Sequence, residues 1–144
     1  MKKIILALVL GSILNYSTAQ EVKSYYLNGQ LESVGMEKDG KRTGLWKFYE
    51  GKNDGLGVVE DETKTGPLIK EGTYKNGQKT GEWKEYYNNG KLKSLLNYEE
   101  GKITGEWKEY YNNGKLEFIK NLKSDKQNGM FTHYDKKGEL ICKI

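Results

Sequence analysis

The chain has 144 residues, 35% hydrophobic and 31% charged, with a formal net charge of +4. This is enough for one domain of ordinary size, but it supplies little apolar material for a deep core. One Cys and one His exclude an internal disulfide and a zinc site of the usual ligand spacing.

Residues 1–19 differ from the rest. Lys2-Lys3 precede a mostly apolar run from Ile4 to Leu14, and Ser17-Thr18-Ala19 are small residues at the spacing of a cleavage site. The pattern predicts a signal peptide cut between Ala19 and Gln20; the apolar run is too short for a stable membrane span. The expected location is therefore exported: periplasmic, outer-surface or secreted. Cutting there removes Lys2 and Lys3 from 24 basic residues, so 22 − 20 leaves +2. That balance gives no electrostatic case for nucleic acid as a partner.

From residue 20 to 144 one theme recurs. Gly81 through Leu92 returns without substitution at Gly105 through Leu116, a step of 24 residues. Gly129-Met130-Phe131 falls one step later, with Phe131 in place of Trp, and Gly138 and Leu140 follow in phase. Gly44-Leu45-Trp46-Lys47-Phe48-Tyr49 opens an earlier copy, and Tyr25-Tyr26-Leu27-Asn28-Gly29 matches the middle of another. About five units result, an array in which each unit packs on its neighbours.

Each unit carries two turn signals. One is Asn28-Gly29, Asn89-Gly90 or Asn113-Gly114, with Lys137-Gly138 at the end; the other is Asp39-Gly40, Asn76-Gly77 or Glu100-Gly101, with Ser124-Asp125 as the variant. Both are expected to form two-residue hairpin turns. The segments between are of strand length and rich in Trp, Tyr, Leu and Ile. The predicted fold is all-β: an elongated antiparallel meander of repeated hairpins, about five 24-residue units in one twisted sheet.

With a two-residue turn at Asn89-Gly90, Tyr87 should face Leu92, Glu85 should face Ser94, and Trp83 should face Leu96. One face then collects Trp83, Tyr87, Leu92, Leu96 and Tyr98, and the other carries Lys84, Tyr86, Lys93 and Leu95. In the next unit Tyr111 should meet Leu116 and Glu109 should meet Phe118. A one-residue slip would turn the Trp and Leu set outward, so the pattern pins the register. Tyr86 sits either on a half-covered second face or, through a bulge, on the first.

The step lengthens once. Tyr49 to Tyr74 spans 25 residues where Tyr86 to Tyr98 spans 12, so 13 are inserted between Tyr49 and Pro67. This inserted loop, about 50–67, holds Glu60-Asp61-Glu62 and the single Pro. It reads as a lengthened hairpin tip, either a contact loop or a tolerated surface loop.

The unit Gly-x-Trp-x-x-Tyr-Tyr-x-Asn-Gly-x-Leu, closed by Gly-Lys-x-x-Gly, resembles the MORN repeat in its bacterial variant form. The resemblance covers 22–144 apart from the insertion. It implies consecutive β-hairpins in an extended sheet, a scaffold for protein contacts, and in some members a membrane association. Many bacterial relatives carry an antitoxin label, which implies an antitoxin-like neutralising role as an alternative. It brings no catalytic residues.

Sites of chemistry are sparse. Gly72-x4-Gly77 and Gly35-x4-Gly40-Lys41 approach a phosphate loop, but no helix follows, and both stretches are assigned to the turns between units. Glu82, Glu85, Glu106 and Glu109 are read as solvated charges. His133 occupies a variable slot, and Cys142 shares parity with Leu140 and Ile144 on the packed face. No catalytic residue, cofactor or metal is expected.

The aromatic row Trp46, Trp83, Trp107 and Phe131 is read as the structural core, with Gly90, Gly114 and Gly138 at turns. The opposite row, Tyr49, Tyr86, Tyr110 and Tyr134 with Lys47, Lys84 and Lys108, is the candidate contact surface. The expected function is a non-catalytic exported scaffold that binds a protein or peptide through this face. A module for a membrane or cell-wall surface, reading lipid headgroups or glycans, is the alternative.

Overall fold

The computed structural model describes residues 18–51 and 65–144, with the backbone alone of Ile4–Leu6. These residues form a single antiparallel sheet and no helix. In chain order the strands are β1 (Ile4–Leu6), β2 (Gln20–Tyr25), β3 (Leu31–Lys38), β4 (Lys41–Tyr49), β5 (Leu68–Lys75), β6 (Gln78–Tyr86), β7 (Leu92–Glu99), β8 (Lys102–Ile103), β9 (Gly105–Tyr110), β10 (Leu116–Lys123), β11 (Lys126–Tyr134) and β12 (Leu140–Lys143). Spatial order follows chain order, with β8 and β9 both against β7. The meander therefore holds the five expected hairpins. Of the expected leader, Ile4–Leu6 lies against β2, and 1–3 and 7–17 lie outside the described residues. So do 52–64 of the insertion, including Glu60-Asp61-Glu62. Tyr49 pairs with Leu68 as Tyr86 pairs with Leu92, which puts the insertion at a hairpin tip.

The two turn types differ. Between units, Asp39-Gly40, Asn76-Gly77, Glu100-Gly101 and Ser124-Asp125 all have positive φ at both positions, the geometry whose twist matches the flanking strands. Within units the expected two-residue turn is corrected. Gly90 N–H donates to the Tyr87 carbonyl and Tyr87 N–H to the Lys91 carbonyl, both at 2.8 Å. Only Gly90 is left-handed there, at φ 79°. This is a type I turn closed by a glycine bulge, a three-residue loop. The Asn89 side-chain oxygen accepts Lys91 N–H at 3.1 Å and holds the shape. Asn28 and Asn113 act the same way.

The extra loop residue moves the pairing near the tip. The register follows expectation from Trp83–Leu96 to Glu85–Ser94, and then Tyr86, not Tyr87, faces Leu92 with Lys93 bulged out. Likewise Tyr110, not Tyr111, faces Leu116, while Glu109 meets Phe118 as expected. Glu32, Ile69, Glu117 and Ile141 are the equivalent bulged residues. Tyr87 thus no longer faces Leu92 and stands at the loop, its N–H bonded to the Lys91 carbonyl.

The core lies on the Trp side. Trp46 and Trp83 are 2% and 0% exposed. Each indole lies flat over a glycine of the preceding strand: a Cβ at Gly35 would sit 2.3 Å from Trp46 Cδ2, and one at Gly72 would sit 2.2 Å from Trp83 Cδ2. Gly35 and Gly72 therefore belong to strand interiors beneath indoles, not to the turns between units. Phe48 and Tyr74 link the two rings into one cluster and Tyr98 extends it from Trp83, with centroids 5.0–6.2 Å apart. The Arg42 guanidinium lies 4.2 Å from the Trp46 ring and Lys79 Nζ lies 4.4 Å from the Trp83 ring, as cation–π lids. Burial, and next the charge of Lys70, hold the Lys79 pKa below the ordinary lysine value.

Two parts of the expected core are corrected. Trp107 and Phe131 are only half-buried and belong to a second cluster with Phe118 and His133. Cys142 is half-buried opposite His133, but Leu140 and Ile144 are 58% and 78% exposed. Among the described residues β12 is an edge strand, so its side chains lack the second neighbouring strand that buries Leu96.

Candidate interaction surface

The expected contact residues come together. Register pairs run Lys23–Val34–Lys47–Glu71–Lys84–Leu95–Lys108–Ile119–Thr132–Lys143 across the sheet. Strand alternation puts this row on the face opposite Trp83. Lys47, Lys84 and Lys108 recur every second strand, about 10 Å apart at ~4.8 Å per strand. Tyr49, Tyr86 and Tyr110 end the same strands and Tyr134 ends β11, each facing the leucine that opens the return strand: Leu68, Leu92, Leu116 and Leu140.

Lys84 and Lys108 are held in ion pairs, and all three lysines stay partly exposed. Lys84 pairs with Glu82 at 3.0 Å and Lys108 with Glu106 at 2.8 Å. These hydrogen bonds raise both lysine pKa values above the ordinary value. The pairs are solvent-facing and contribute little to stability. Lys47 has Leu45, itself exposed, where the other lysines have a glutamate two residues before.

Glu71 is the residue that the sequence reading passed over. It stands in the lysine row at the place of Leu95 and Ile119, and its Oε1 accepts a 2.7 Å hydrogen bond from the Tyr86 hydroxyl. Aligning β5 on β7 exposes this substitution. Burial first, then the Glu71 bond, pushes the Tyr86 pKa up to about 12.

On the other face, Lys70 and Glu85 form an ion pair, and His133 lies beside Phe131. Among the described residues no three His, Cys, Asp or Glu side chains gather as a metal-holding group. The phosphate-loop resemblance has no helix behind it: Gly72 lies in β5 and Gly35 in β3.

Residues 21–36, 79–100 and 103–124 match the family model of the MORN repeat variant. These three segments are MORN repeats of the variant class. No curated protein matches the chain. The matched segments leave out β4–β5 and β11–β12, which fold as the same hairpin, so the repeated hairpin extends beyond the segments the family model recognises. MORN repeat proteins are generally non-catalytic modules, and the family points to a repeat-based binding or scaffold role.

Proposed function

We propose that this MORN protein is a non-catalytic exported scaffold that binds a protein or peptide partner on the face carrying Lys47, Lys84 and Lys108. The observation that carries the reading is the lysine row. Three accessible cations recur on alternate strands of one face, separated by Glu71 and Leu95 and margined by Tyr49, Tyr86, Tyr110 and Tyr134. A sheet face that presents aromatic, apolar and cationic groups at a regular spacing suits an extended chain laid across the strands. Export rests on the basic and apolar leader with its small-residue cleavage pattern.

The test is capture from the native envelope fraction with immobilised wild-type chain and a Lys47→Ala/Lys84→Ala/Lys108→Ala variant, followed by affinity measurement with the purified captured protein. Affinity should fall about tenfold or more in the variant, the sum of several rim contacts, with circular dichroism unchanged. Equal affinity for both would reject this face. Salt-sensitive binding of anionic vesicles or peptidoglycan, with no protein captured, would replace the protein partner by an envelope surface.

A further inference from the structure

The hairpin tips carry a second repeated group. The residue after the strand-ending tyrosine is Tyr26, Glu50, Tyr87, Tyr111 and Asp135 in units one to five. Each of the three tyrosines reaches into the next unit. The hydroxyls of Tyr26, Tyr87 and Tyr111 donate to the carbonyls of Tyr49, Tyr110 and Tyr134 at 2.7, 2.7 and 2.8 Å. Each phenol is thus a rung that ties one hairpin tip to the next. At the junction of units two and three the rung position is Glu50, whose ionised carboxylate is an acceptor only. It cannot give the Tyr86 carbonyl what Tyr26 gives Tyr49.

A pocket of about 390 Å³ opens at this junction. Tyr26, the preceding rung, lies on one side of it. Lys93 lies on the other, with its Nζ 6.0 Å from the ring of Tyr87, the following rung. Phe48, Tyr49, Ile69 and Tyr86 give the aromatic and apolar part of the wall, and Glu32 with the ion-paired Lys70 and Glu85 completes it. The space therefore falls where the ladder skips a rung, and its volume is that of a site for a small group.

We propose that this pocket receives the phenol side chain of a tyrosine carried by the partner, its hydroxyl donating to the Tyr86 carbonyl. The occupant is specified by the chain itself, because the same ring-and-carbonyl arrangement is made internally three times. The inference rests on the peptide-binding reading above and names one residue that the partner presents. Phenylalanine would fill the space but leave the carbonyl unpaired, so it should bind about tenfold more weakly.

The experiment is an NMR titration of the full chain with N-acetyltyrosinamide and with N-acetylphenylalaninamide. Expected are saturable shifts at the amides of Ile69, Tyr86 and Lys93, and the weaker affinity for the phenylalanine compound. Glu50→Tyr supplies the missing rung and should abolish the shifts. Ile69→Trp fills the wall from the other side and should do the same, which covers the case in which the first variant does not fold. Absence of saturable shifts in folded wild type, equal affinities for the two amides, or undiminished binding in either folded variant would overturn the site. The titration involves no partner, so its failure leaves the lysine-row reading standing; loss of that reading in the capture assay would likewise leave a positive titration intact.

Discussion

Units three and four share twelve consecutive residues, Gly81–Leu92 and Gly105–Leu116, yet their tryptophans settle differently. Trp83 is fully buried and its Nε1–H donates to the Thr73 carbonyl at 3.2 Å; Trp46 does the equivalent with Met36 at 3.0 Å. Trp107 is half-buried and donates instead to Ser94 Oγ at 3.0 Å and Glu109 Oε2 at 2.9 Å. The cause lies in the neighbouring strands. Gly72 leaves room for an indole to lie flat on its strand, and the 24-residue step puts Leu96 in that place before Trp107. Lys70 holds Glu85 in an ion pair; its counterpart Ser94 cannot, so Glu109 is free to accept the indole N–H. Lys79 covers Trp83, and its counterpart is Ile103. An identical repeat thus takes its conformation from the preceding strand, in keeping with arrays whose energetics are set between nearest neighbours.

The widest test of this difference is to remove each indole. Trp83→Ala should cost about 3–5 kcal/mol, as for a large buried side chain. Trp107→Ala should cost about 1–2 kcal/mol, because less apolar area is withdrawn from water. Chemical denaturation of both variants gives the two values, and equal costs would mean that the burial difference carries no energetic weight.

A smaller change acts on the floor rather than the ring. Gly72→Ala puts a methyl 2.2 Å from the indole carbon, so Trp83 must shift, at about 1–3 kcal/mol of overpacking. Trp83 emission should move to the red as the ring lifts into water. Lys120→Ala, at the same repeat position beside Trp107, should stay within about 0.5 kcal/mol. An unchanged midpoint in Gly72→Ala would show that the glycine floor is not required.

Much of the fold was legible because the repeat states it several times. The five hairpins, the positive-φ turns between units and the Trp83–Leu96 pairing followed from spacing and alternation. What was misread depends on single residues. Asn-Gly is compatible with either a two-residue turn or a type I turn with a glycine bulge, and only the pairing of Tyr86 with Leu92 separates them. Gly35 and Gly72 resembled turn glycines because the space beneath an indole leaves no mark in a one-dimensional pattern. Of the candidate surface, the alignment of Lys47, Lys84 and Lys108 was legible from parity. Glu71 was not, since it interrupts an otherwise cationic and apolar row and matters only through its reach to Tyr86.

That contact gives the finest test, because it distinguishes Tyr86 from Tyr110, its identical counterpart in the next unit, which has Leu95 where Glu71 stands. The native state favours the neutral phenol, since the folded pKa of Tyr86, about 12, lies above the ordinary value of about 10. A raised pKa means that this stabilisation is complete below pH ~10 and is lost as pH rises through the folded value, over the window from ~10 to ~12. Tyrosinate absorbance of the wild type minus that of Tyr86→Phe should therefore show a group titrating near pH ~12. The Phe variant should also lose part of the alkaline destabilisation seen in wild type. Glu71→Gln removes the charged acceptor and should bring the Tyr86 titration back toward pH ~10, leaving the part due to burial, which is the larger cause. A difference spectrum centred at the ordinary value would mean that the hydroxyl is open to water and that Glu71 does not hold it.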